Sequence, residues 1–237
     1  NAGLVFCQNC EHIRIKDLVL TRGKPAVFLL NTSDTTVENL AISHSPVGIQ
    51  VSDAPHLTMH GIVIRNNTIR DSGSHAISIA NRTTITVADN TIDGCLGNGI
   101  TIFGNDHEIV GNSISNSHIG ISFSGENSVI SANTLSENDY SHVWGAGFLV
   151  PNKITQNNFL NPLIQHTLIS GGSPQDFSFP LPQGGNHWSD FDETLEGCSD
   201  ANNDSLCDAP FAFLGGRDEF PWVRERGWIQ PTPCCSN

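Results

Sequence analysis

HAISIANRTTITVADNTIDGCLGNGITIFGNDHEIVGNSISNSHIGISFSGENSVISANTL, residues 75–135, says one thing three times. Each copy opens with a small residue and an alternating apolar run: Ala76-Ile77-Ser78-Ile79, Gly99-Ile100-Thr101-Ile102, Gly120-Ile121-Ser122-Phe123. A polar corner follows. A second alternating run then ends in Asn90-Thr91-Ile92, Asn112-Ser113-Ile114 or Asn133-Thr134-Leu135. Alternation with period two, rich in Ile, Val and Thr, predicts strands with one buried face. Recurrence every twenty-odd residues predicts a solenoid.

The repeat extends both ways. Small anchors fall at Gly3, Ala26, Gly48, Ala76, Gly99, Gly120 and Gly147. Second-strand anchors fall at Leu20, Ile42, Ile69, Ile92, Ile114, Leu135 and Phe159. Both series predict seven coils, with the long intervals as loops inserted in single coils. A strand of four or five residues cannot bury its own apolar face, but stacked coils can. Seven steps of about 4.8 Å make a rod roughly 33 Å long. Asn67, Asn90, Asn112, Asn133 and Asn157 recur at one corner, where stacked amides can bond along the axis. Leu18 and Leu40 hold that position in the first two coils.

The expected organisation is all-β, with a parallel β-helix over residues 1–161 and a connector and Asp/Trp-rich capping region over 162–237. The third coil carries an insertion around Asp53–His60. The sixth runs into a long loop, Ser136–Gly145, that holds the only Tyr, Tyr140, and Trp144. The chain opens in mid-repeat, as a processed or partial chain would. A net charge of −13 argues against nucleic acid and anionic membrane as partners. No run is long and apolar enough for a transmembrane helix, so no direct membrane insertion is expected.

Seven Cys point to an oxidising compartment: extracellular, cell-surface or periplasmic. Cys198 and Cys207 bracket a short polar loop as a disulfide clip. Cys7 and Cys10 sit at a corner, as a disulfide or as buried thiols. Cys95 falls in a coil loop, and Cys234 and Cys235 are adjacent near the end. The odd count leaves a thiol free or available for chain–chain contact. Glycosylation triplets begin at Asn31, Asn66, Asn81 and Asn203.

The coils resemble the right-handed parallel β-helices of the carbohydrate-binding and sugar-hydrolase (CASH) class. They are most similar to the periplasmic NosD-type proteins, whose namesake helps mature nitrous oxide reductase. Gly185-Asn186-His187-Trp188-Ser189-Asp190-Phe191 resembles the Gly-Asn-x-Trp-Ser-Asp-Tyr motif that follows such helices in surface proteins. Asp208-Ala209-Pro210-Phe211 and Asp218-Glu219-Phe220-Pro221 match its later Asp-x-Pro-Tyr and Asp-x-Tyr-Pro segments, with Phe for Tyr.

Candidate chemistry lies in three places. Side-chain oxygens of Asp200, Asn202, Asp204 and Asp208, with the Leu206 carbonyl, follow the first nine positions of a calcium loop. Ser205 replaces the turn Gly and Phe211 the closing Glu. Asp190, Asp192 or Asp218 would then complete a structural calcium site. Successive corners carry His44, Asp71, His75, Asp93, His118, Asp139 and His142. Asp71, Asp93 and Asp139 could pair as acid and base for glycosidic cleavage. Asp71 with His75, helped by Arg65 or Arg70, could serve a lyase or epimerase. The Asp-Pro-His-Asp signature of β-helical alginate epimerases is absent. Tyr140 and Trp144 could stack on a sugar. NosD kinship would imply copper, but His44, His75, His118 and His142 do not share one repeat position.

Corner Asp and His also serve local hydrogen bonds. The sequence therefore favours a non-catalytic, secreted or cell-surface β-helix that binds carbohydrate or another surface partner. Its alternatives are a polysaccharide-active hydrolase, lyase or epimerase, and a NosD-like accessory for copper metalloenzyme maturation.

Overall fold

The computed structural model describes residues 5–53, 60–80, 84–146, 149–170 and 175–229. Every coil gives a strand to each of two parallel sheets. The longer sheet runs through Val5–Gln8, Val27–Leu30, Val47–Ser52, His75–Ala80, Thr91–Phe103, Ser113–Ser124, Ser141–Ala146 and Gln165–Ser170. It also takes in the short strands Val19–Thr21, Ala41–Ser43 and Thr68–Arg70, because Thr91–Phe103 and Ser113–Ser124 bend round a corner to join both runs. The second sheet has seven strands, from Arg14–Lys16 to Lys153–Thr155. No helix among the described residues is long and apolar enough to cross a membrane.

The alternating sequence places identical side chains above one another. Ile79, Ile102 and Phe123 pair in register, as do Ile77, Ile100, Ile121 and Val143. Val37, Ile64, Val87, Ile109, Ile130 and Ile154 oppose them from the second sheet, all fully buried. Each such side chain contributes about 1.5–3 kcal/mol by leaving water. The third wall is the expected series Leu20, Ile42, Ile69, Ile92, Ile114, Leu135 and Phe159.

The corners need residues that tolerate positive φ. Asn39, Asn66, Asp89, Gly111, Ala132 and Gln156 supply one such column, immediately before the buried Asn series. His44, Asp71, Gly94, Asn116, Glu137 and Asn161 supply another. Turning in the left-handed region points the next residue inward, and there the Asn ladder forms. Asn112 Oδ1 accepts from Asn90 N at 3.0 Å and Asn90 Nδ2 at 2.9 Å. Asn112 Nδ2 donates to Val87 O at 2.9 Å and Asn133 Oδ1 at 3.0 Å. The pattern repeats from Asn67, which accepts from Leu40 N, to Asn157.

The ladder does not stop at residue 161. Asn157 donates to Asn186 Oδ1, and Trp188 pairs in register with Phe159. The Gly-Asn-x-Trp motif is thus one more rung and one more core anchor. Asp218 terminates the column, accepting from Asn186 N at 2.7 Å, Trp188 Nε1 at 2.9 Å and Phe220 N at 3.1 Å. Burial pushes its carboxyl up to about 6 against those three donors. Gly185 is obligatory here, because a Cβ would collide with the Asp218 carboxylate. Phe177, Phe211 and Phe213 pack round Trp188, Phe191 packs on Phe211, and Trp222 is buried beside His187. Cys198–Cys207 and Cys7–Cys10 are disulfides.

Three expectations change. Val143 sits on Ile121, so His142 holds the anchor position expected at Gly147, which lies outside the described residues, as does Gly3. The expected long loop 136–145 is a tight corner followed by the strand Ser141–Ala146. His142, being polar, hides the alternation His142-Val143-Trp144. Cys95 is on the strand Thr91–Phe103 with its thiol buried inside the rod, so it cannot bridge chains. Cys234 and Cys235 lie outside the described residues, as do Asn81 and most of the insertion after Asp53.

Candidate functional site

The acidic corner residues each have partners of their own, and Asp71 and Asp93 neighbour one another on successive coils, Asp71 N bonding to Asp93 O. Asp71 sits in the left-handed column, its Oδ2 3.7 Å from His44 Nε2 on the preceding coil. Asp93 Oδ1 accepts from Ser115 Oγ at 3.1 Å and Asn116 Nδ2 at 2.7 Å, on the next coil. Asp139 is exposed at a different corner position, its amide on Ser117 O. His75 Nδ1 accepts from Asn98 N at 3.2 Å, and burial holds its pKa below the usual histidine value. Arg65 is committed elsewhere: with Arg14 it clamps Glu38 on the second sheet.

Tyr140 stacks on His118 with centroids 5.4 Å apart, so one ring face is taken. Exposed Leu96 and Ile164 lie along the same edge of the rod, with Leu163 adjacent. Trp144 projects from the outer face of the long sheet, in line with Ser78, Thr101 and Ser122.

The acidic loop is wound on its own amides. Asp200 accepts from Asp204 N and Ser205 N at 3.0 Å, Asn202 from Asp204 N, and Asp204 from Leu206 N. Asp208 turns towards Ser199 Oγ and Ala201 N, and the Ala201 amide followed by the Ser199 hydroxyl holds its carboxyl below the usual range. Asp218, a suggested closing ligand, is instead consumed by the ladder.

Inside the last coils two histidines replace small anchors. His142 Nδ1 accepts from Asn138 Nδ2 at 3.0 Å, which leaves the ring proton on Nε2, near the Leu160 carbonyl but without ordinary hydrogen-bond geometry. Burial, then the neighbouring His166, drives its pKa down to about 3. His166 Nε2 lies 2.6 Å from Asp190 Oδ1. Burial raises Asp190, but the His166 bond and charge outweigh it and leave the carboxyl below its ordinary value. The two rings, 5.3 Å apart, are core and not a surface site.

A second histidine group was not foreseen. His12, Asp34 and His60 come from three consecutive coils at one corner. His12 Nδ1 is 3.6 Å from Asp34 Oδ2, and His60 Nδ1 is 3.2 Å from Asp34 Oδ1. Asp34 N bonds to His60 O, which fixes the coils in step. Gly61 is left-handed, and a Cβ there would strike the Asp34 carboxylate. Aligning the corner residues themselves, rather than the apolar anchors, would have put His12 and Asp34 in one column.

A family model described as "Periplasmic copper-binding protein (NosD)" matches residues 2–193. The chain belongs to the NosD family. No curated protein matches it. Family and fold place it in the periplasmic or extracellular space, where the disulfides Cys7–Cys10 and Cys198–Cys207 are stable. The match reaches past the last regular coil into the Trp188 rung, in keeping with Trp188 being part of the stack.

Proposed function

We propose that this NosD-family chain is a non-catalytic, copper-handling accessory that works outside the cytoplasm. The observation that carries this is the exposed His12–Asp34–His60 group. Two imidazoles and a carboxylate suit Cu(II). Among the described residues no three His, Cys, Asp or Glu side chains already surround one point. The three at this corner are solvent-exposed side chains, so an ion could draw them together by side-chain rotation. His44, His75, His118 and His142 offer less: each has a different repeat position and its own local partner. The exposed edge of Leu96, His118, Tyr140 and Ile164 supports a docking face for a periplasmic protein that exchanges the metal.

Cu(II) titration followed by electron paramagnetic resonance tests the reading. One equivalent should bind with nitrogen hyperfine structure in the wild type. The His12→Ala/His60→Ala double variant should lose it with unchanged circular dichroism. Equal copper binding by the double variant would overturn the proposal.

Carbohydrate binding is the second reading. Trp144 on the outer face of the long sheet supports it, as an aromatic ring suits a sugar face. Polysaccharide cleavage has less support, since Asp71, Asp93 and Asp139 each look to a different neighbour.

A further inference from the structure

The outer face of the second sheet ends in a cavity of about 280 Å³ that the copper reading leaves unused. Its floor is Ser131, Lys153 and Thr155, on adjacent strands of the sheet. Its wall is Phe179 and Gln183, from a hairpin closed by the Phe179 N to Gly184 O bond at 3.0 Å. Gln156 Nε2 ties that hairpin to the rod through Gln183 O at 3.1 Å.

Lys153 decides what such a cavity would hold. The chain has 24 acidic and 11 basic residues. Lys153 nevertheless forms no ion pair among the described residues, although Asp176 is its register partner on the next rung. Its ammonium lies 5.7 Å from the Phe179 ring centroid. A cation–π contact at an exposed site is worth only about 0.5–1 kcal/mol, so the charge remains available to an anion.

A simple anion would need the lysine but not the aromatic wall, the hydroxyls or the amides. A neutral sugar would need those but not the lysine. A sugar carrying a carboxylate uses all of them: ring C–H groups on Phe179, hydroxyls on Ser131, Thr155 and Gln183, and the carboxylate on Lys153. The volume, just below that of drug-sized sites, suits one sugar ring. Glu108, two coils back, and Asp176, the next register partner, lie in the same outward column as Lys153. They would repel a polyanion laid along the sheet, which favours a single or terminal residue.

We infer that this cavity binds one uronate residue, free or at the end of a glycan. The inference is independent of the copper site, which lies coils away on other residues.

The test is heteronuclear NMR titration of the whole chain with glucuronate and galacturonate, and with glucose and acetate as controls. Uronates should shift the amides of 153–156, Phe179, Leu181, Gln183 and Gly184. Lys153→Gln should weaken them about tenfold, the loss of roughly one charged contact. Phe179→Ala should weaken uronate without changing acetate. The inference fails if glucose or acetate matches the uronates, if Lys153→Gln leaves their affinity unchanged, or if no amide near the cavity moves. Copper binding by the Lys153→Gln variant should be that of the wild type.

Discussion

Asn112→Ala removes one rung from the middle of the ladder, and its cost can be worked bond by bond. Asn90 N–H loses its acceptor inside the rod, and Val87 C=O loses its side-chain donor. Asn90 Nδ2 keeps its bond to Ile64 O, and Asn133 Oδ1 keeps the Asn112 amide. One stranded buried donor costs about 1–3 kcal/mol and the lost amide bonds about 1 kcal/mol more, so the variant should lose about 3 kcal/mol. For a chain of this size that lowers Tm on the order of 10 °C. Asn112→Asp keeps the shape and the acceptor but sets a second acceptor against Val87 O and Asn133 Oδ1. It should cost at least as much. The control is Asn127→Gly, at an exposed left-handed corner with one bond to Asp106, expected within about 0.5 kcal/mol of wild type. Urea and thermal unfolding followed by circular dichroism give the comparison. A cost below about 1 kcal/mol for Asn112→Ala, or an equal cost at Asn127, would refute the ladder as a source of stability.

Acid should act through two buried groups of opposite sign. His142, with a folded pKa of about 3 against 6.5 unfolded, makes the fold lose stability as pH falls below 6.5. Asp218, raised to about 6 from 3.8, makes it gain stability as pH falls from 6 towards 3.8. Relative to wild type, His142→Phe should therefore gain about 2–3 kcal/mol between pH 7 and 4.5, measured by urea unfolding; no relative gain would mean the ring is protonated in the fold. Calcium should raise Tm in the wild type and not in an Asp200→Asn/Asp204→Asn variant. Equal melting of the wild type in calcium and EDTA would leave the loop to its own amides and the Cys198–Cys207 bridge. Gly185→Ala should destabilise by several kcal/mol, because the new methyl must displace the Asp218 carboxylate that ends the ladder; wild-type melting would contradict that packing.

The fold was legible because period-two alternation and a fixed step are redundant: seven second-strand anchors, Leu20 to Phe159, all fell in register. The pattern failed where a rung broke its chemical type. His142 sits where Gly or Ala was expected, and the coil was displaced to Gly147. Trp188 continues the Phe159 column from the far side of a connector whose length breaks the step. The site was less legible for a physical reason. Corner Asp, Asn and His are selected first by positive φ, so His44 and Asp71 serve as turn residues whatever chemistry they carry. His12 and Asp34 carry the same signature, with His60 just before the left-handed Gly61, and only stacking showed that they meet.

Paired cysteines on the outer face of the long sheet report the stacking most directly. Ser78 and Thr101 are register partners, and Ser122 is one coil further. One step of about 4.8 Å is within disulfide reach, and two steps, about 9.6 Å, are not. After mild oxidation, mass mapping should find the 78–101 bridge in Ser78→Cys/Thr101→Cys and no bridge in Ser78→Cys/Ser122→Cys. A bridge in the second variant, or none in the first, would contradict coils wound in register.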